Sequence, residues 1–375
     1  MIRNRTGIER TMAKQGLDRR SVVKGGMVGG LSLAAIGTAL ARSAGAQQGQ
    51  YRFRLQSFLG PGWAEWEEMI PTYIQRVREA SGGAIEITAF PPGALVPTFE
   101  LLDAVERRVV DIAYSAQVYW RGSMPFTEWT WGIPFYFDIV DHYDYLWWEA
   151  GLLDLTREAF AERNVFFIAP VYSDEWGSTM STSPIRRLSD FEGKTIRSSG
   201  IGGAIWASQG ASIVTMPGEE LYTALSTGVL DAVNWGSPYG MIATKLEEVA
   251  KYYLGPSLIA YDAEDMFINM DAYEELPGEM QEALVLATRV FALERASKST
   301  YASAQAFQTM ADAGVEVNVL PGEDIEEIDR LVDELLPQHV QDDEYSQRAI
   351  SIINEVRDTL RQRPANFPIA VPRLG

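Results

Sequence analysis

Hydrophobic and polar positions alternate in two rhythms from residue 51 onward. Tyr51-Arg52-Phe53-Arg54-Leu55 has period two, the pattern of a half-buried strand, and runs into Gly60-Pro61-Gly62. Trp63, Trp66, Ile70, Tyr73 and Val77 then recur at steps of 3, 4, 3 and 4, which predicts one helix face closed by Ser81-Gly82-Gly83. Residues 85–88 predict a strand, 99–108 a short amphipathic helix and 109–115 a buried strand. This βαβαβ order implies a parallel sheet.

A second unit starts near Val165 with a near-continuous apolar strand at 166–172. Strands at 194–197, 212–215 and 232–235 then alternate with helices at 202–210 and 219–227, another βαβαβ rhythm. Residues 271–313 form a long helical stretch broken only by Pro277-Gly278. A strand at 315–320 and a mostly helical 324–361 follow. No internal period suggests a solenoid, and no low-complexity linker separates the halves. Two α/β lobes laced by several crossings give this pattern, with a ligand crevice at the carboxyl ends of the strands.

The amino terminus follows neither rhythm. Residues 1–24 carry seven basic side chains against Glu9 and Asp18, and an apolar Gly/Ala-rich run occupies 25–41. At 17 residues that run is at the lower limit for spanning a bilayer. Asp18-Arg19-Arg20-Ser21-Val22-Val23-Lys24 matches a twin-arginine export signal, and Ala44-Gly45-Ala46 a processing site. Removal of 1–46 leaves 329 residues with 24 basic and 49 acidic side chains, a formal charge of −25. An exported, acidic, cysteine-free chain of this size points to the periplasm.

Composition narrows the chemistry. With no cysteine there is no disulfide framework, thiolate metal site or cysteine nucleophile. Two histidines, His142 and His339, lie in polar, acidic surroundings and read as surface residues. A net charge of −19 for the whole chain argues against nucleic acid and against anionic membrane surfaces. No Gly-x-Ser-x-Gly elbow, phosphate loop or dinucleotide fingerprint appears, and Gly200-Ile201-Gly202-Gly203 reads as a helix entry. Carboxylate pairs such as Asp174-Glu175 and Asp262/Glu264 are expected by chance among 51 acidic residues. No catalytic set is visible, so the reading is not an enzyme, with no cofactor.

The informative segment is 186–240. Leu188-Ser189-Asp190-Phe191-Glu192-Gly193-Lys194-Thr195-Ile196-Arg197 is followed by Glu220-Leu221-Tyr222-Thr223-Ala224-Leu225 and Gly228-Val229-Leu230-Asp231-Ala232. This block resembles the periplasmic solute-binding proteins of TRAP (tripartite ATP-independent periplasmic) transporters, nearest their α-keto-acid branch. Weaker likeness extends over residues 50–365, including 101–113, where Arg108 stands in place of the usual glycine, and 269–282.

The resemblance implies an α/β, two-lobed periplasmic-binding-protein fold (type II-like) of two mixed sheets with a long connecting helix. It implies a receptor that closes on an organic acid and hands it to small and large membrane subunits, and it leaves a homodimer open. The expected division is 1–46 export signal, 47–165 first lobe with later crossings, and 166–270 second lobe. Residues 271–375 then supply the long helix, a return crossing and C-terminal helices.

Arg197 matches the family's substrate-binding arginine, and a guanidinium holds a carboxylate through two parallel charge-assisted bonds. Trp176, Asn234 and Trp235 fall on loops beside it, with Tyr119 and Trp120 facing from the first lobe. The resemblance further implies a glutamine near 176 and a glutamate at 234 that help hold a cation. Trp176 and Asn234 stand there instead, so no metal is expected. Glu175 is the nearby carboxylate that could substitute, although a strand edge would turn it away. An apolar or aromatic acid stacked on Trp176 or Trp235 is the expected ligand. The alternatives are a binding protein of an ATP-driven importer and an exported enzyme.

Overall fold

The computed structural model describes residues 50–340 and 343–362. The export signal lies outside the described residues. Among those described, no helix is long and apolar enough to cross a membrane.

Two mixed sheets organise the chain. In the first, β1 (Tyr51–Ser57), β2 (Ile85–Phe90) and β3 (Ile112–Ser115) are parallel. Beside β3 lies β10 (Ala263–Asn269), antiparallel to both β3 and β4 (Val165–Tyr172), giving the order β2-β1-β3-β10-β4. The second sheet contains β5 (Thr179–Ser181), β6 (Thr195–Arg197), β7 (Ser212–Val214), β8 (Ala232–Asn234), β9 (Tyr252–Gly255) and β11 (Glu316–Val319). Its order is β11-β9-β5-β8-β6-β7.

The apolar strand at 166–172 therefore belongs to the first sheet, not to the start of the second lobe. A continuously apolar run shows that a strand is buried but not which sheet buries it. Here β10 claims it, pairing Met266 with Ala169 and Ile268 with Phe166. The strands β5, β9 and β10 were not legible in the pattern. Two are only three or four residues long, and β10 carries Glu264 and Asp265, which are fully buried.

Helix α1 (Ile70–Ala80) follows a π-helical turn at Glu65–Met69 and buries Ile70, Tyr73 and Val77. Each such fully buried apolar side chain contributes about 1.5–3 kcal/mol. The short helix α2 (Thr127–Trp131) packs on the first sheet, and α3 (Gly200–Ser208) opens just beyond β6. Helix α4 (Gly278–Asp312) runs for 35 residues, about 50 Å, and packs against β4 of the first sheet and β11 of the second. Helices α5 (Gly322–His339) and α6 (Glu344–Arg361) close the described chain.

Arg108 has φ 57°, the left-handed region. That is why glycine suits this turn in the related pattern, and a non-glycine residue here costs roughly 1 kcal/mol or more. Its guanidinium is held by both carboxylate oxygens of Glu275, at 2.7 and 2.8 Å.

The segments joining the sheets also pair with each other. Trp176 and Ile259 exchange backbone hydrogen bonds of 2.7 and 3.0 Å, tying the outgoing crossing after β4 to the returning one before β10.

Candidate functional site

The parallel trio β7-β6-β8 sets the position of Arg197. Its backbone lies opposite Val214 and Val233, so it ends β6 at the carboxyl edge of the second sheet. The side chain is 2% exposed, and its Nε donates to the Met216 carbonyl at 3.0 Å. No described carboxylate pairs with it. Burial lowers its pKa, with the nearby Tyr119 hydroxyl acting the other way.

A narrow cavity opens beside this guanidinium. Ser198, Ser199, Gly200 and Asn234 form its floor from the second sheet. Val118, Glu128 and Trp131 close it from the first-sheet side, and Trp176 and Ile259 of the paired crossings form a wall between them. Residues of both lobes thus enclose one space.

Four indoles run past this cavity. Trp131 meets Trp176 at 5.3 Å, Trp176 meets Trp235 at 5.3 Å, and Trp235 meets Trp63 at 5.7 Å, all steeply inclined. Edge-to-face contacts of this kind set an indole's direction as well as burying it. Glycines make room for the row: a Cβ on Gly218 would lie 2.6 Å from Trp235, and one on Gly240 2.7 Å from Trp63. Beyond Trp235 lies a second, wider cleft lined by Phe58, Gly60, Trp63, Gly218, Glu219 and Trp235.

Of the residues singled out from sequence, Arg197, Trp176 and Asn234 line the narrow cavity. Trp235 borders the wider cleft and touches the cavity wall through Trp176. Tyr119 packs on Phe58 and Phe99, and burial raises its pKa to about 12 although Arg197 pulls it down. Trp120 belongs to the first-sheet core, 5% exposed and edge-on to Phe267 at 5.2 Å. The turn Gln117–Trp120 sends adjacent side chains to different sides, so Tyr119 and Trp120 cannot both face the crevice. Glu175 is turned away too: its carboxylate accepts from the Ser257 hydroxyl at 2.5 Å and lies outside the cavity lining.

The residue that sequence reasoning missed is Glu128. It stands on α2, and its enclosed Oε1 has no hydrogen-bond partner among the described residues. Burial raises its pKa against the opposing effects of Arg121, His339 and the Ile201 amide. One signal was available, since Glu128 is the single charge in the aromatic stretch 124–137.

The lining does not suit a hard cation. Asn234 is spent on its own surroundings: its Nδ2 donates to the Gly177 carbonyl at 2.5 Å and Thr179 Oγ1 at 3.1 Å, and its Oδ1 accepts from Ser198 Oγ at 3.1 Å. Among the described residues Glu128 is the only carboxylate in the lining, so the protein offers a hard cation a single anionic ligand there. Among the described residues no cluster of three or more acidic or histidine side chains could hold a metal.

A denser polar group lies between the first sheet and α4. Arg295 donates to Glu264 at 2.7 Å and to Tyr114 Oη at 2.7 Å, and Glu65 lies 3.4 Å away. Tyr114 in turn donates to Glu264, and Ser303 donates to Asp174. Three carboxylates that looked like chance pairs in the sequence, Asp174, Asp262 and Glu264, thus gather in one buried network.

The comparisons agree with this architecture. A curated relative, a monocarboxylate 2-oxoacid-binding periplasmic protein of Nostoc sp., is 30% identical over 237 residues, 60% of this chain. The match spans 63% of that relative's length. A TRAP transporter solute-binding protein from Bordetella bronchiseptica RB50, solved with calcium and picolinate, superposes with a TM-score of 0.77 at 20% identity. That likeness covers 84% of this chain and 94% of the other. One from Pseudoalteromonas atlantica T6c, with bound sodium and pyruvate, gives 0.76 at 22% identity, over 83% and 95%. The two-sheet fold is therefore that of the TRAP solute-binding proteins. The model of bacterial extracellular solute-binding proteins, family 7, matches residues 66–343, and the chain belongs to that family.

Proposed function

We propose that the protein captures an organic acid between its lobes, in the periplasm, and delivers it to the small and large membrane subunits of a TRAP transporter. The observation that carries this reading is Arg197, a buried guanidinium that no described carboxylate pairs with, facing a cavity closed from both lobes. An isolated buried cation is unfavourable until an anion joins it. A carboxylate ligand supplies that anion, and hinge closure removes the pair from water.

Trp131 and Trp176 give the cavity apolar walls, which suits an acid with an apolar or aromatic body. The donor set argues that this acid is held without a bridging cation, unlike the calcium- and sodium-containing proteins it resembles. Calorimetry before and after exhaustive chelation tests that point; a tenfold loss restored by calcium or sodium would overturn it. Export through Arg19-Arg20 is tested by replacing both with Lys, and undiminished export would remove the twin-arginine reading.

The receptor reading itself is tested by thermal shift of the purified protein against a carboxylate library. A ligand at 100 times its Kd stabilises by about 2.7 kcal/mol. Stabilisation by sugars or amines but by no carboxylate would overturn the reading.

A further inference from the structure

Two ionisable groups of opposite sign line the cavity, not one. Arg197 enters from the end of β6 and Glu128 from α2 on the other side, and they form no ion pair with each other. Arg197 is pinned by the Met216 carbonyl. Glu128 is half-buried, and its Oε1 is enclosed without a donor among the described residues. The Arg121 and His339 charges and the Ile201 amide act on Glu128. Gly200, at φ 57°, leaves the approach open, since a Cβ there would come within 3.0 Å of Oε1.

Resting on the organic-acid reading above, we infer that the ligand carries a hydrogen-bond donor, a hydroxyl or amino group, besides its carboxylate, and that Glu128 accepts from it. An acid with a purely apolar tail satisfies Arg197 and leaves Glu128 shut in with an empty acceptor. The protein by itself already encloses Oε1 without a donor, so an apolar acid leaves that cost in place and a donor-bearing acid relieves it. Arg197 therefore selects acids, and Glu128 selects among them.

The test is isothermal calorimetry on the purified protein with matched probes. One set is propanoate, 2-hydroxypropanoate, 3-hydroxypropanoate and 3-aminopropanoate; the other is benzoate with its hydroxy and amino derivatives. At least one donor-bearing acid should bind roughly 10- to 100-fold more tightly than its parent. Glu128→Ala should bring the two within threefold while leaving the parent acid's affinity within threefold of wild type. Glu128→Gln keeps an acceptor without charge and should retain a hydroxyl preference but lose an amine preference.

Parents binding as tightly as all their derivatives to the wild-type protein would overturn the inference while leaving the organic-acid reading intact. A uniform loss across all probes in Glu128→Ala would assign Glu128 to lobe closure and also overturn it. If no acid in either set binds the wild-type protein, the organic-acid reading falls, and this inference with it. The wild-type series decides even if a variant fails to fold.

Discussion

Arg295 and Arg197 are almost equally shielded from water, at 1% and 2% exposed, yet their surroundings are opposite. Burial works against the charge of Arg295, but Glu264, Tyr114, Glu65 and Asp174 outweigh it and hold its pKa well above the usual arginine value. Around Arg197 burial dominates and the pKa falls. The protein surrounds one buried cation with several of its own carboxyl groups and, among the described residues, gives the other none. A guanidinium matched by its own chain is structural; one left unmatched at a cavity is, in the receptor reading proposed above, the group that meets a ligand's charge. The pattern also explains why Arg295 sits on α4, the helix that touches both sheets, while Arg197 sits at a strand end that opens on the crevice.

The largest effect follows from removing the matched arginine. Arg295→Ala leaves Glu264, Glu65 and Asp174 buried without their cation and should cost about 3–5 kcal/mol, read as a lowered urea midpoint. Arg197→Ala removes a cation with no partner, so its urea midpoint should stay at or slightly above the wild-type value. Equal destabilisation by the two substitutions would break the comparison.

Ligand affinity should reverse the order. Arg197→Ala strands the ligand carboxylate in the cavity and should lose about 2–5 kcal/mol, roughly 30-fold to several-thousand-fold in Kd. A folded Arg197→Ala protein that binds its acid within threefold of wild type would show that Arg197 is not the anchor.

How much of this contrast is written in the sequence depends on which residues stand near one another along the chain. The place of Arg197 at the end of a second-sheet strand was legible because the motif from Leu188 to Arg197 is local. Most strands of the second sheet were legible for the same reason. Arg295 and its partners Glu65, Tyr114, Asp174 and Glu264 are drawn from across more than two hundred residues, and no spacing joins them. Glu128 had a local signal, a single charge among aromatics, but its role depends on α3 approaching from the other sheet. Trp120 misled because adjacency in a loop says nothing about which neighbour turns inward. The order of the crossings was also hidden, since β4 and β10 find each other across ninety residues of intervening chain.

The titration of the Arg295 network gives a third, smaller difference. Burial lifts the Glu264 pKa to about 8 despite the opposing pull of Arg295, and Asp262, Asp174 and Glu65 are also raised chiefly by burial. A carboxyl whose folded pKa exceeds its unfolded value holds its proton more firmly when folded. Its contribution is complete below about pH 4.5 and is lost as pH rises through about 8. Urea midpoints should therefore fall between pH 5 and 8.5, by at most about 1.4 kcal/mol per pH unit for each such proton. Glu264→Gln should flatten the profile, and a wild-type midpoint that rises across this range would contradict the assignment.

The smallest effect tests whether the wall of the Arg197 site can be moved alone. A methyl group at Gly218 would lie 2.6 Å from Trp235 Cζ2 and 3.2 Å from its Cη2, so the indole must shift. Gly218 has ordinary backbone angles, and Gly218→Ala therefore introduces no backbone strain, only overpacking of about 1–3 kcal/mol. Trp235 touches Trp176, and Trp176 lines the cavity, so the displacement should reach the ligand as a several-fold weaker Kd. The Arg295 network shares no hydrogen bond with Gly218 or Trp235, so the pH profile of the urea midpoint should keep its wild-type slope. Gly122→Ala is the matched control, because a Cβ there meets nothing within 4 Å. A Gly218→Ala protein with wild-type affinity would show that the indole row packs the crossing without shaping the cavity. A changed pH slope would show instead that the two arginines share one mechanical unit.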